Sequence, residues 1–200
     1  MIAVAGALAG CGAGEASSTG AGDASRAAGQ LHRAAAAMQQ VASYRFRATV
    51  GAGASQVELA GEFEAPDRVH EHVTLSGRPA VEVVFAGSQA FVKDASGAWH
   101  HTAEAAPASG TDVRSAFGAL TKVAPVARHG SNYTFRVPAT AARTLVGTSA
   151  AGSIPAAATL DGDEIAALTY EPTITGHRVQ VAISYSDVNR APPVSIPTAG

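Results

Sequence analysis

The sequence predicts an α+β fold: a curved antiparallel sheet of about 9–11 strands, a half-barrel, with a few helices covering its concave apolar face. Three observations predict it. From Ser43 onward, apolar and polar residues alternate with period two through segment after segment. The links between those segments are short, which favours antiparallel neighbours. Ahead of them runs an Ala-rich stretch whose apolar residues recur at helical spacing.

Arg26 to Val41 is the first expected element, a helix. It has no Pro, Leu31, Ala34, Ala35, Met38 and Val41 form one stripe, and Ser25 is the expected N-cap. Tyr44, Phe46, Ala48 and Val50 then alternate with Arg45, Arg47 and Thr49. Val57, Leu59, Gly61 and Phe63 alternate with Glu58, Ala60, Glu62 and Glu64. Val69, Val73 and Leu75 share a face against His70, His72 and Thr74. Val81, Val83 and Phe85 follow, then short strands from Gln89 to Lys93 and Trp99 to Thr102. Asp112 to Val123 has helical spacing, with Asp112 near its N-cap, and Thr140 to Leu145 is a further short helical turn. Tyr133, Phe135 and Val137 alternate with Asn132, Thr134 and Arg136. Two strands flank Asp161-Gly162, a type I′ hairpin signal. Val179, Val181, Ile183 and Tyr185 mark the last strand. Strict alternation means one buried and one wet face.

Such a sheet hides a large apolar face with few helices. Several inward positions carry small residues, Ala48, Gly61, Ala90 and Ala167, and the chain has only six Phe, four Tyr and one Trp. A wall of this kind can close over a cavity that its own side chains do not fill. Empty apolar space costs about 24 cal/mol per Å³, and an apolar ligand relieves that cost. A fully packed half-barrel, with Ala tightening the helix-on-sheet contact, is the other outcome these residues allow. The expected pocket lining is Phe46, Leu59, Phe63, Val83, Phe85, Phe117 and Phe135, with release through movement of the Asp112 to Val123 helix.

The bulk composition narrows the function. Hydrophobic residues make up 46% and charged residues 15%, with a formal net charge of −2. No basic stripe recruits nucleic acid. One Cys rules out a disulfide within the chain. Arg far outnumbers Lys and Ala is abundant, a bias that suggests a GC-rich bacterial genome. No cofactor motif is present. Gly-x-Ser-x-Gly is absent, and Gly10-Cys11-Gly12-Ala13-Gly14 lacks the Lys-Ser/Thr of a phosphate-binding loop. No acid, base and nucleophile set converges, so an enzyme is not expected.

Some residues read as structural. His70 and His72 lie on one strand face and could both reach one metal, but zinc needs three or four ligands. No further ligands follow at a recognisable spacing, so no metal is expected. His100 and His101 point to opposite faces. Glu58, Glu62 and Glu64 form a solvated acidic stripe. Asn132-Tyr133-Thr134 matches a glycosylation sequon but falls inside a strand. Trp99 reads as core.

Residues 1–10 read as an export signal, 11–25 as a flexible tether and 26–198 as a single domain. An apolar run ends in Leu8-Ala9-Gly10-Cys11, which resembles the bacterial lipobox. The resemblance implies cleavage before Cys11, a diacylglyceryl thioether on its sulfur, and residence on the outer side of the cytoplasmic membrane. No Lys or Arg precedes Arg26, although a signal starts with positive charge. A start placed too far downstream is the expected cause.

Three further segments carry a second resemblance. They are Ser43-Tyr44-Arg45-Phe46 after the helix, Ala86-Gly87-Ser88-Gln89-Ala90-Phe91-Val92-Lys93-Asp94 followed by Gly97-Ala98-Trp99, and Ile183-Ser184-Tyr185-Ser186-Asp187-Val188-Asn189 with Pro193-Val194-Ser195-Ile196-Pro197. In this order they resemble the LppX/LprG-type mycobacterial lipoproteins and, more distantly, the LolA/LolB lipoprotein-sorting proteins. The likeness runs over most of Gln30 to Pro197. It implies a half-barrel around a hydrophobic cavity and carriage of an acyl lipid or lipoglycan across the cell envelope. It transfers no catalytic residue, and Cys11 is the one position it transfers. The competing expectation is an envelope scaffold that binds a protein partner through an exposed apolar patch and has a filled core.

Overall fold

The computed structural model describes residues 17–52, 55–102, 113–146 and 152–198. Helix α1 spans Ser17–Met38. Six strands follow: β1 Ser43–Ala52, β2 Ser55–Glu64, β3 Arg68–Leu75, β4 Val81–Ala86, β5 Gln89–Lys93 and β6 Trp99–Thr102. A 3-10 helix covers Val113–Leu120. Then come β7 Val126–His129, β8 Asn132–Val137, α2 Ala139–Val146, β9 Ile154–Asp161, β10 Glu164–Tyr170, the small pair β11 Thr173–Ile174 and β12 His177–Arg178, and β13 Gln180–Ser186.

Eleven strands form one sheet in the order β6-β5-β4-β3-β2-β1-β13-β10-β9-β8-β7. Every neighbouring pair is antiparallel. The outermost strands β6 and β7 do not meet, so the sheet is open, as a half-barrel requires. From β1 the chain meanders to one edge, crosses to the other, and returns through β8, β9 and β10. β13 then pairs with β1 at the centre, matching Phe46 to Tyr185, Ala48 to Ile183 and Val50 to Val181.

The core lies between the inner face and the helices. Ala27, Leu31, Ala34, Ala35 and Met38 form the buried stripe of α1, which packs on β7, β10 and the 3-10 helix. Phe63, Phe117, Leu120, Val126, Val137, Ile154, Ile165 and Leu168 complete the fully buried centre.

Several expectations need correction. α1 starts at Ser17, within the stretch expected as a tether, and ends at Met38 with Val41 buried beyond it. Once a packed helix exists, added turns need only propagation and not nucleation, and Arg26 pairs with Asp23 at 2.9 Å in those turns. Of the expected Asp112 to Val123 helix, Val113–Leu120 is a 3-10 helix, whose three-residue turn brings Phe117 and Leu120 into one buried line, and Asp112 lies outside the described residues. At the β9–β10 hairpin Asp161 pairs with Glu164, so Gly162 and Asp163 are the central residues. Only Gly162 has positive φ, at 60°, which is the II′ form and not I′. Ala167 faces outward, opposite Ser184, because the register shifts between Ile165 and Ala167. That bulge leaves Ile165 and Leu168, three apart, both buried.

The outer face is not uniformly wet. The C-terminal segment crosses it, and Val194 joins Val84 and Phe91 in a second small core against which Trp99 packs. Glu64 anchors the crossing by accepting the Val194 N–H at 2.9 Å. Glu62 contacts Arg45 at 3.5 Å and His70 at 3.3 Å, so the acidic stripe is partly engaged in pairing.

Candidate ligand pocket on the inner face

The inner face is built by the alternation that the sequence displays. Across β2, β1 and β13, Phe63, Gly61 and Leu59 align with Tyr44, Phe46 and Ala48, and these with Tyr185 and Ile183. Above this floor sit the 3-10 helix and α2. Arg114 ties the 3-10 helix down by donating to the Val41 carbonyl at 3.1 Å, and its guanidinium lies 5.4 Å from the Phe63 ring centre.

Between floor and lid is an apolar pocket of about 150 Å³. Tyr44, Phe46, Ala48, Leu168, Tyr170, Ile183 and Tyr185 line it from the sheet, Ala116 and Phe117 from the 3-10 helix, and Leu145 from α2. Its aromatic wall is continuous. Tyr44 lies 5.0 Å from Phe63 and 5.4 Å from Tyr185, and Tyr185 lies 5.3 Å from Phe117, ring centre to ring centre.

One carboxyl enters this apolar setting. Glu71 stands on β3 between Gly61 and Val83 in the cross-strand register and lines the pocket. Burial pushes its pKa up from the usual carboxylate value, and the neighbouring His70 pulls weakly the other way. Burial pushes the Tyr170 hydroxyl up to about 12. It raises Tyr185 further, with Tyr44 and Tyr170 adding to the effect. The pocket therefore favours neutral groups and holds Tyr170 and Tyr185 as phenols.

A second and larger space lies beside the start of α1, lined by residues of both faces of the sheet. This groove, of about 1080 Å³, runs between the start of α1 and β7 to β10. Ala27, Val126, Phe135 and Ala156 give it an apolar floor, and Arg26, Gln30, Arg128 and Arg136 are among its polar residues. Tyr170 lines both spaces. Among the described residues it is the one common to the apolar space and the polar-rimmed one.

The expected lining residues divide accordingly. Phe46 and Phe117 line the apolar pocket, and Phe135 lines the groove. Phe63 is fully buried beneath Tyr44. Leu59, Val83 and Phe85 stand half-buried on the same face, toward β2 and β4. A continuous cavity of a few hundred Å³ is the size expected of a carrier, and the apolar compartment alone is smaller. Glu71, Tyr44, Leu168, Tyr170 and Leu145 escaped the sequence reading. Glu71 had a signal, since it sits between Val69 and Val73 in the alternation. Cys11 lies outside the described residues. Among the described residues no helix is long and apolar enough to cross a membrane.

The segments that carried the family resemblance meet in space. The Ala42 N–H donates to Asn189 Oδ1 and the Asn189 N–H donates to the Ser43 carbonyl, each at 2.7 Å. Arg45 reaches Asp187 at 3.3 Å. This clasp fastens β1 to the end of β13 beside the pocket floor.

No protein-family model matches the chain, and no curated protein matches it either. Solved structures do. The lipoprotein LppX from Mycobacterium tuberculosis superposes with a TM-score of 0.62 at 13% identity, covering 86% of this chain and 99% of LppX. The chain has the LppX fold. LprF from Mycobacterium bovis superposes equally well, with a TM-score of 0.62 at 12% identity over 88% of this chain and 98% of LprF. The LppX fold is thus reached with few identical residues, which places the likeness in architecture and leaves the lining of the pocket to this chain.

Proposed function

We propose that this chain is an envelope lipoprotein, anchored through lipid on Cys11 at the outer side of the cytoplasmic membrane, that binds and carries an acyl lipid or lipoglycan. One observation carries the reading: an apolar compartment and a polar-rimmed groove are both lined by Tyr170. An amphiphile needs such a pair. Its tail loses water in the apolar part, at about 0.8 kcal/mol per methylene before ordering costs. Its polar end stays at the rim, where Arg26 and Arg128 suit an anionic or hydroxylated headgroup. Rotation of the Tyr170 ring would join the two spaces. The half-buried residues Leu59 and Val83 extend the apolar surface for a longer chain. The likeness to LppX and LprF supports the same reading, as does the lipobox.

The scaffold alternative calls for an exposed apolar patch. Among the described residues Ile196 is the one large apolar side chain that is exposed, which favours the binding module. The reading assigns no reaction to the chain.

The test is to express the full chain in a host that processes lipoproteins, extract the purified protein with organic solvent, and identify the extract by mass spectrometry. Near-stoichiometric acyl lipid is expected, along with a diacylglyceryl adduct on Cys11. Lipid-free protein that also fails to bind a fluorescent fatty-acid probe would refute carriage. An unmodified Cys11 in that host, with a basic signal start supplied ahead of Met1, would refute the anchor.

A further inference from the structure

The outer face of β2, β3 and β4 gathers two imidazoles and two carboxylates on the side of the sheet opposite the apolar pocket, which Glu71 lines between them. His70 and His72 occupy alternate positions of β3 and so share a face, with ring centres 4.8 Å apart. Cross-strand pairing supplies the acids. Glu62 of β2 stands opposite His70, and Glu82 of β4 stands opposite His72. His70 Nε2 lies 2.9 Å from Glu82 Oε1, and its Nδ1 lies 3.3 Å from Glu62 Oε2. One ligand atom from each of His70, His72 and Glu82 falls within 4.8 Å of the others.

We propose that His70, His72 and Glu82 form a binding site for a divalent transition metal, with zinc the best match. Two imidazoles and one carboxylate are a donor set that zinc accepts, with a fourth position left for water, while Glu62 faces the other ring nitrogen of His70, Nδ1. Around a tetrahedral ion with bonds of about 2.0 Å, donor atoms stand roughly 3.3 Å apart. Side-chain rotation on a fixed sheet closes the remaining gap. Lys93 donates to Glu82 Oε2 at 2.8 Å, which leaves Oε1 turned toward the imidazoles. The cluster borders a groove of about 390 Å³ whose other side is the C-terminal segment Pro192–Pro197, with Trp99 beside it. A metal here would cross-link β3 and β4 beneath that segment.

The site stands apart from the lipid reading, and its test uses no lipid. The probe is zinc chloride, titrated by calorimetry at pH 7.4 into the full chain carrying Cys11→Ser, which removes the thiol as a competing ligand. The same protein is melted with and without zinc. Saturable one-to-one binding at about 10 μM or tighter is expected, with a raised melting temperature. His72→Ala and Glu82→Gln should each weaken binding tenfold or more, and His177→Ala, on the distant small hairpin, should leave it unchanged. His72 is exposed, so its variant keeps the fold, and circular dichroism checks this. No saturable binding, or binding that His72→Ala and Glu82→Gln leave intact, would overturn the site.

Discussion

Phe46 lies directly across the sheet from Gly61, and its ring stands where a side chain at Gly61 would point. A Cβ built at Gly61 would come within 3.1 Å of Phe46 Cζ and would collide with the carbonyl oxygen of His70. The bare backbone lets β2 approach β3 closely here, and the aromatic ring covers the glycine.

Gly61→Ala should therefore destabilise the fold by about 3 kcal/mol or more, because backbone and not a flexible side chain must give way. A lowered urea midpoint with an unchanged slope is the expected result. A midpoint equal to wild type would mean that the strands separate at no cost.

Glu71 sets a pH dependence of unusual sign. Its folded pKa is raised above the unfolded value, so the folded state binds the proton more tightly. Stability is then lost as pH rises from the unfolded pKa, about 4.3, through the folded one. Glu71→Gln should remove this loss. The variant should melt higher than wild type at neutral pH, with the gap closing below about pH 4. Melting temperatures across that range check it, and a constant gap would contradict it.

Tyr170 lines both compartments. Tyr170→Ala should join them and cost about 3–5 kcal/mol, as large aromatic truncations do. Tyr170→Phe keeps the ring and should cost much less. If lipid occupies these spaces, the Ala variant should accept a bulkier fluorescent acyl probe than the Phe variant, read by fluorescence titration.

The Asn189 clasp combines a hydrogen bond with a left-handed backbone at φ 57°. Asn189→Ala loses the bond and adds strain, about 2 kcal/mol together. Asn189→Gly loses the bond and keeps the conformation, so it should be the milder change. Chemical denaturation of the two variants would separate the terms, and equal losses would remove strain from the account.

Much of the architecture was legible in order. Tyr44 to Val50 and Asn132 to Val137 alternate cleanly, and the short links between strands fix antiparallel neighbours. The bulge at Ile165 to Ala167 was hidden because one extra residue reverses every face that follows it. The extended start of α1 was hidden because Ser, Gly and Thr read as coil until a packed helix already stands beside them.

The functional surfaces were legible only in part. Phe46, Phe117 and Phe135 could be named as inward-facing, but not that Tyr170 lines both of their spaces. His70 and His72 could be paired along one strand, but Glu82 could not be added to them. By itself the sequence determined which face is apolar in strands without a bulge, because side-chain alternation is a local property of extended backbone. Only the tertiary structure decided which strands lie side by side, and hence that Glu71 meets Gly61 and Val83 on the apolar face while His72 meets Glu82 on the other. Register across strands is set by the packing of the whole sheet, and no spacing along one strand encodes it.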